Sequence, residues 1–157
     1  MNQIPSFVIE PASWRDLNRL RQIERECFKD DAWPLLDLIA VLTIPAVVRL
    51  KAVEVTEGEM VGFIAGDRRQ HEQLGWITTL CVVEAYRRQG IALALLEACE
   101  RTLNMRSVRL SVRRSNLGAI RLYERADYHL HTVWPNYYPG GEDALVLEKK
   151  YSIPDAL

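Results

Sequence analysis

Three groups of residues in this chain have the types and spacing to do chemistry. The first is Val82-Val83-Glu84-Ala85-Tyr86-Arg87-Arg88-Gln89-Gly90-Ile91-Ala92, where an apolar run turns basic and a glycine falls where a helix must begin. The first N–H groups of a helix have no partner within it, and the helix dipole favours an anion there. Gly90 and Ala92 leave room for a phosphate to approach the backbone. Arg87, Arg88, Gln89, Gly90, Ile91 and Ala92 therefore read as a pyrophosphate cradle, the plainer alternative being a simple turn glycine. The chain holds neither Gly-x-x-x-x-Gly-Lys-Ser/Thr nor Gly-x-Gly-x-x-Gly, so a kinase-type P-loop and a dinucleotide site are not indicated.

The second group is Asn116 and Tyr123 in Ser115-Asn116-Leu117-Gly118-Ala119-Ile120-Arg121-Leu122-Tyr123-Glu124. Helical offsets put Asn116, Ile120 and Tyr123 on one face. Two turns separate the end residues, roughly 10 Å along the axis, a span that suits a ligand arm. Taken singly, Asn116 also reads as an N-cap and Tyr123 as core. The third group is the aromatic and acidic stretch Asn136-Tyr137-Tyr138-Pro139-Gly140-Gly141-Glu142-Asp143-Ala144.

These groups need elements to position them. Trp76 to Val83 has the unbroken apolar character of a strand buried on both faces. Ile91, Leu95, Ala98, Cys99 and Leu103 form one helical stripe after the cradle. Ser107 to Val112 alternates, with Val108, Leu110 and Val112 inward. Upstream, Phe7-Val8-Ile9 reads as a strand. Ser13-Trp14-Arg15-Asp16 reads as a capping box opening a helix with Leu17, Leu20, Ile23 and Cys27 inward. Asp30-Asp31 and Pro34 interrupt that helix, and a second runs from Trp33 to Leu42. Strands Val47 to Val55 and Met60 to Ala65 flank the turn Glu57-Gly58-Glu59, and two more, about Tyr128 to Trp134 and Ala144 to Lys149, close the chain.

At 157 residues with a formal charge of −1, the chain is expected to form one domain over 1–157, with no bulk electrostatic case for nucleic acid or an anionic membrane. No run approaches the ~20 apolar residues of a membrane span, and no signal pattern opens the chain, so a cytoplasmic protein is expected. Cys27, Cys81 and Cys99 sit in apolar surroundings without metal or disulfide spacing and read as reduced core cysteines.

The Arg87-x-x-Gly90-x-Ala92 turn followed by Asn116 and Tyr123 resembles the GNAT superfamily of N-acetyltransferases. The resemblance implies an α/β fold: a mixed, mostly antiparallel sheet of about seven strands with four helices, splayed between strands 4 and 5, where coenzyme A enters. It implies that acetyl-CoA lies along Leu80, Val82 and Val83, whose backbone N–H groups polarise the acetyl carbonyl. It places Asn116 and Ala119 on the pantetheine arm and Tyr123 beside the sulfur as the general acid. No metal is implied.

The stretch Tyr137-Tyr138…Glu142-Asp143-Ala144 further resembles protein N-terminal acetyltransferases, as do Trp33-Pro34, Ile39-Ala40 and Val112-Arg113-Arg114-Ser115-Asn116. That resemblance implies an acceptor groove lined by Trp33, Tyr137 and Tyr138, with a protein or peptide N-terminus as the partner. The chain departs from the pattern at the base, because the positions that carry it hold Trp76 and Ser111. An attacking amine must be neutral. An α-amine with a reference pKa of about 7.7–8.0 tolerates a missing base better than a lysine near 10.4, a gap of about 3.5 kcal/mol. Asp30 ranks first as a replacement, ahead of Glu84, His129 and His131. The expected activity is acetyl transfer to an N-terminal α-amine. A small amine, an amino acid or an internal lysine is the alternative acceptor, and a non-catalytic acetyl-CoA sensor is the alternative of another class.

Overall fold

The computed structural model describes residues 7–152. Strand β1 (Phe7–Pro11) leads to helix α1 (Leu17–Phe28), helix α2 (Leu35–Thr43), and strands β2 (Val47–Glu54), β3 (Met60–Arg69) and β4 (Leu74–Val82). Helix α3 (Ile91–Leu103), strand β5 (Ser107–Arg113), helix α4 (Leu117–Arg125), strand β6 (His129–Trp134) and strand β7 (Ala144–Lys150) complete it. The seven strands form one sheet in the order β1-β2-β3-β4-β5-β7-β6. Every neighbouring pair is antiparallel except β4 and β5. The α/β class, the seven strands, the four helices and their succession along the chain agree with the expectation.

Two cores flank the sheet. Leu95, Leu96, Cys99 and Leu103 of α3 pack with Ile64, Val108, Leu110 and Tyr128 on one face. Leu20 and Ile23 of α1 pack with Leu38 and Val41 of α2, Phe63, Ala65 and Cys81 on the other. The α3 face admits a close approach because Gly62 has no side chain. A Cβ there would meet Leu95 Cδ1 at 3.0 Å, the Cys81 carbonyl at 3.2 Å and Ile91 Cγ2 at 3.3 Å.

Element ends shift for local reasons. The Ser13 capping box forms, with Arg15 N donating to Ser13 Oγ at 3.3 Å and Ser13 N to Asp16 Oδ2 at 2.8 Å. Its first turn is a 3₁₀ turn, Trp14–Asp16, and α1 proper begins at Leu17. Pro34 is the N-cap of α2, so Trp33 lies just outside the helix. Strand β3 runs on to Arg69 because Gly66, Asp67, Arg68 and Arg69, which look turn-like, pair with Ile77 to Leu74 across a bulge. Tyr128 precedes β6 and is fully buried, its hydroxyl donating to Glu100 Oε1 at 2.9 Å.

One expectation needs correction. Strand β4 is not sealed on both faces, since Trp76, Thr78 and Leu80 are each half-buried. The cause is the parallel pairing with β5, which covers only Leu74↔Ser107 to Ile77↔Leu110. Beyond Ile77 the two strands part, β5 continuing to pair with β7 as far as Arg113↔Ala144. Among the described residues no helix is long and apolar enough to cross a membrane.

Candidate active site

A cleft of about 550 Å³ opens where β4 and β5 separate. Sheet alternation gives it two sides. Leu110 and Val112 turn to the α3 face, whereas Ser111 and Arg113 turn to the face of α1 and α2. Strand β4 resets its own alternation by one residue. The register slips between Ala65↔Thr79 and Gly66↔Ile77, so Thr78 is an inserted bulge residue. Ile77 packs with the α3 core, yet Thr79 bonds to α1 and Cys81 packs under α1.

On the α3 side, Leu80, Asn116, Ala119 and Tyr123 line the cleft. Asn116 is the N-cap of α4, its Oδ1 accepting from Ala119 N at 3.2 Å, so the plainer sequence reading holds for its carbonyl in this structure. Tyr123 is only 8% exposed. Its hydroxyl has no side-chain partner contributing to its ionisation, while no polar side-chain atom among the described residues is buried without one. The hydroxyl therefore opens onto the cleft. Burial first, then the nearby Tyr138, raise its pKa, so it remains a protonated donor through the neutral range.

The turn from β4 to α3 lies at the outer end. Gly90 is the N-cap of α3 at φ +81°, no side chain caps the helix, and a Cβ there would meet nothing within 4 Å. Arg88, Gln89 and Gly90 are exposed, Ala92 is half-buried and Ile91 is anchored in the core. That surface offers unpaired N–H groups and a free approach, which a pyrophosphate fits. Arg87 behaves differently. Its Nε donates to the Val82 carbonyl at 3.0 Å and its Nη2 lies 3.9 Å from Cys27 Sγ, so the guanidinium folds back onto β4 and α1. The Val83 N–H donates to the Val61 carbonyl at 2.9 Å and so faces β3. Strand alternation turns the Val82 peptide edge the other way, towards the splay.

The α1 side is aromatic and charged. Trp76 stacks on Trp134 at 5.6 Å and 7°, Trp134 meets Tyr137 at 5.1 Å, and Tyr137 meets Tyr138 edge-on at 5.0 Å. Arg113 lies over the Tyr138 ring at 4.4 Å. Its Nη2 donates to Asp31 Oδ2 at 2.6 Å and its Nη1 to Glu142 Oε2 at 2.9 Å. One guanidinium thus joins the α1–α2 turn, the end of β5 and the β6–β7 loop. Hydrogen bonds from Ser115 and Arg113 push the Glu142 carboxyl down to about 2. Trp33, Tyr137 and Tyr138 all line the cleft, and Ser111 lies within hydrogen-bonding reach of Tyr138.

The sequence-based candidates for the base are not brought into the cleft. Asp30 is exposed and does not line it; the adjacent Asp31 does, paired with Arg113. Glu84 is exposed on the turn after β4. His129 and His131 line a separate hollow with Glu148 and Lys150. Cys27 is not a sealed core cysteine as expected, because it lines the cleft, while Cys81 and Cys99 are buried. The hydrogen bond with Cys81, then Arg87, lower the Cys27 pKa to about 7.

Sequence reasoning passed over Glu24, Thr79, Trp134 and the Arg113 bridge. Glu24 is 1% exposed, with Oε1 accepting from Thr79 Oγ1 at 3.1 Å and Oε2 from Trp33 N at 3.4 Å. Burial raises its pKa, opposed by those two hydrogen bonds. A signal was present, since offsets of four and three place Glu24 on the apolar stripe between Leu20 and Cys27. Among the described residues no group of three or more His, Cys, Asp or Glu is arranged to hold a metal ion.

Known proteins share this sequence pattern and this fold. The model of the acetyltransferase (GNAT) family matches residues 17–128. The chain is 33% identical over 148 residues to an uncharacterized N-acetyltransferase of Methanocaldococcus jannaschii, covering 92% of each. It is 30% identical over 148 residues to the catalytic subunit of the N-terminal acetyltransferase A complex of Arabidopsis thaliana, covering 90% of this chain and 76% of that one. The crystal structure of ribosomal-protein-S18-alanine N-acetyltransferase from Escherichia coli matches with a TM-score of 0.85 at 25% identity, over 95% of this chain and 96% of the other. The chain therefore belongs to the GNAT family and is an N-acetyltransferase.

Proposed function

We propose that this enzyme transfers an acetyl group from acetyl-CoA to the α-amine of a protein or peptide N-terminus. The observation that carries this reading is the acceptor half of the cleft. Trp76, Tyr137 and Tyr138 line a slot leading to the gap between β4 and β5, with Trp134 packed between Trp76 and Tyr137 and Arg113 fastening the wall to Asp31 and Glu142. A slot of this form suits the first residues of an extended chain entering end-on. The Arabidopsis and Escherichia coli relatives, named as N-terminal and ribosomal-protein-alanine acetyltransferases, support it.

In this reading acetyl-CoA lies on the other side, its pyrophosphate on the backbone of Arg87 to Ala92 and its pantetheine arm along Leu80, Val82, Asn116 and Ala119. The thioester supplies an activated acetyl carbonyl in the gap, and the chain contributes position and proton control. Tyr123 donates to the departing thiolate. Trp33, Tyr137 and Tyr138 hold the acceptor. The Arg87 guanidinium orients the Val82 carbonyl and Cys27 from within the turn.

Thiol release from acetyl-CoA tests this with Ala-, Ser- and Met-starting peptides, their N-blocked twins carrying one lysine, and spermidine. Turnover confined to free termini is expected. Turnover on blocked peptides or spermidine would remove the α-amine assignment and leave the coenzyme site standing. Binding of acetyl-CoA without turnover of any acceptor would favour a sensor.

A further inference from the structure

We propose that Thr79 and Glu24 form the proton relay that neutralises the acceptor amine: the Thr79 hydroxyl contacts the nitrogen, and the Glu24 carboxylate behind it takes the proton. This rests on the α-amine reading above and names the base that reading lacks.

The geometry is specific. Thr79 lines the cleft beside the bulge at Thr78, on the same side as Ser111, Trp76 and Tyr138. Its Oγ1 already donates its one proton to Glu24 Oε1 at 3.1 Å, so its lone pairs are left to accept from a group in the cleft. An ammonium placed there is an ideal donor. Glu24 is fixed from the other oxygen by Trp33 N at 3.4 Å, and so cannot swing into the cleft itself. The carboxylate is almost wholly removed from water at 1% exposure, and its raised affinity for a proton suits the task.

Competing groups are few. On its own helix Glu24 is flanked by Arg21, Arg25, Glu26 and Cys27, and α2 carries Asp37. From β4 it is faced by Cys81, a free thiol hydrogen-bonded to Cys27 and pushed up by that bond, by burial and by the Glu24 charge. Asp31, the carboxylate that itself lines the cleft, is already engaged by the Arg113 guanidinium at 2.6 Å. Tyr138 carries a raised pKa and is a donor at neutral pH.

The protons balance. An ammonium sheds two protons on becoming a secondary amide. The first passes to Thr79 Oγ1 as the hydroxyl proton of Thr79 moves to Glu24, leaving a neutral amine and a protonated Glu24. The amine attacks the acetyl carbonyl, the C–S bond breaks, and Tyr123 protonates the thiolate. The second nitrogen proton replaces the one Tyr123 gave. Glu24 returns its proton to water after the products leave.

Removing the relay leaves the reaction dependent on whatever amine is neutral in solution. An α-amine is about 5% neutral at about pH 6.5 and about 95% neutral at about pH 9. Glu24→Gln is therefore expected to lose about twenty-fold in kcat/KM for an Ala-starting peptide at the lower pH and less than about threefold at the higher. Thr79→Val should copy it, and Thr79→Ser should restore the wild-type pH shape. An aminooxy-terminated peptide, already neutral at both pH values, should react equally well with wild type and Glu24→Gln. A loss of equal size at both pH values, or none at the lower, would overturn the relay and leave Glu24 as a tie between α1 and β4. If Glu24→Gln does not fold, the Thr79 pair decides alone. Wild-type inactivity on α-amine peptides with turnover of another amine would remove the N-terminal reading instead; the relay is then judged by the same pH comparison on that amine. Inactivity towards every amine would overturn both.

Discussion

Tyr123→Phe removes one oxygen that no protein group holds. Tyr123 is 8% exposed, its ring meets Tyr128 at 5.9 Å, and its hydroxyl faces the cleft. The ring packing survives the substitution, and no donor or acceptor is orphaned by it, so the fold should be almost unaffected. At roughly 2–4 °C per kcal/mol for a chain of this size, the melting temperature should move by no more than about 3 °C. The chemical step should respond differently. General acid catalysis contributes about 10²–10⁴-fold, or ~2.7–5.4 kcal/mol. Burial and Tyr138 push the Tyr123 pKa up, away from the thiol reference near 8.5, so transfer to the thiolate is uphill. A weakly driven donor places the loss near the lower end, about 10²-fold in kcat. The assay is thiol release for kcat, calorimetric titration for the acetyl-CoA Kd and a thermal melt, all on one preparation. Equal losses in kcat and affinity would assign the hydroxyl to binding. An unchanged kcat would remove the acid role altogether.

Three further outcomes are expected. Arg113→Met frees the Asp31 turn and the Glu142 loop from β5 and should raise the peptide KM about tenfold (~1.4 kcal/mol), while the acetyl-CoA Kd stays within about twofold; a matching change in both would deny that Arg113 serves the acceptor side. Gly62→Ala places a Cβ at 3.0–3.3 Å from Leu95, Ile91 and the Cys81 carbonyl and should cost about 1–3 kcal/mol by denaturant midpoint; an unshifted midpoint would deny that α3 packs tightly on β3 here. Cys27 should be alkylated by iodoacetamide with a pH midpoint about 7, ahead of Cys81 and Cys99, the latter pushed up to about 12 by burial, and acetyl-CoA should slow it. Peptide mapping that finds Cys81 modified first would overturn the assigned exposure.

The fold was legible because its elements announce themselves locally. The alternation Val108, Leu110, Val112 and the stripe Ile91, Leu95, Cys99, Leu103 are buried as their periods demand. The Ser13 capping box forms from residues three apart. What periodicity missed lies where tertiary pairing overrides composition. Gly66 to Arg69 look like a turn but extend β3, since β4 supplies a partner strand across the bulge. Trp76 to Val83 look sealed but border a cleft, because the gap is made by β5 leaving, and nothing within β4 encodes where its neighbour goes.

The site divides along the same line. Groups bound by short spacing, such as the Arg87 to Ala92 turn and the Asn116–Tyr123 face, could be placed on their elements in advance. Groups defined by partners far along the chain could not: Arg113 meets Asp31 across 82 positions and Glu142 across 29. Thr79 and Glu24 are the sharpest case, 55 positions apart. Strict alternation from Ile77, which packs on the α3 core, would send Thr79 to that same face, away from α1. The extra residue at Thr78 reverses the parity, so Thr79 meets Glu24 and Cys81 lies beneath Cys27. A single inserted residue thus moves a hydroxyl from the α3 face to the α1 face and sets a buried carboxylate behind it. The base absent from Trp76 and Ser111 is on this argument supplied from outside the usual strand positions, by a helix residue that only the bulge makes reachable.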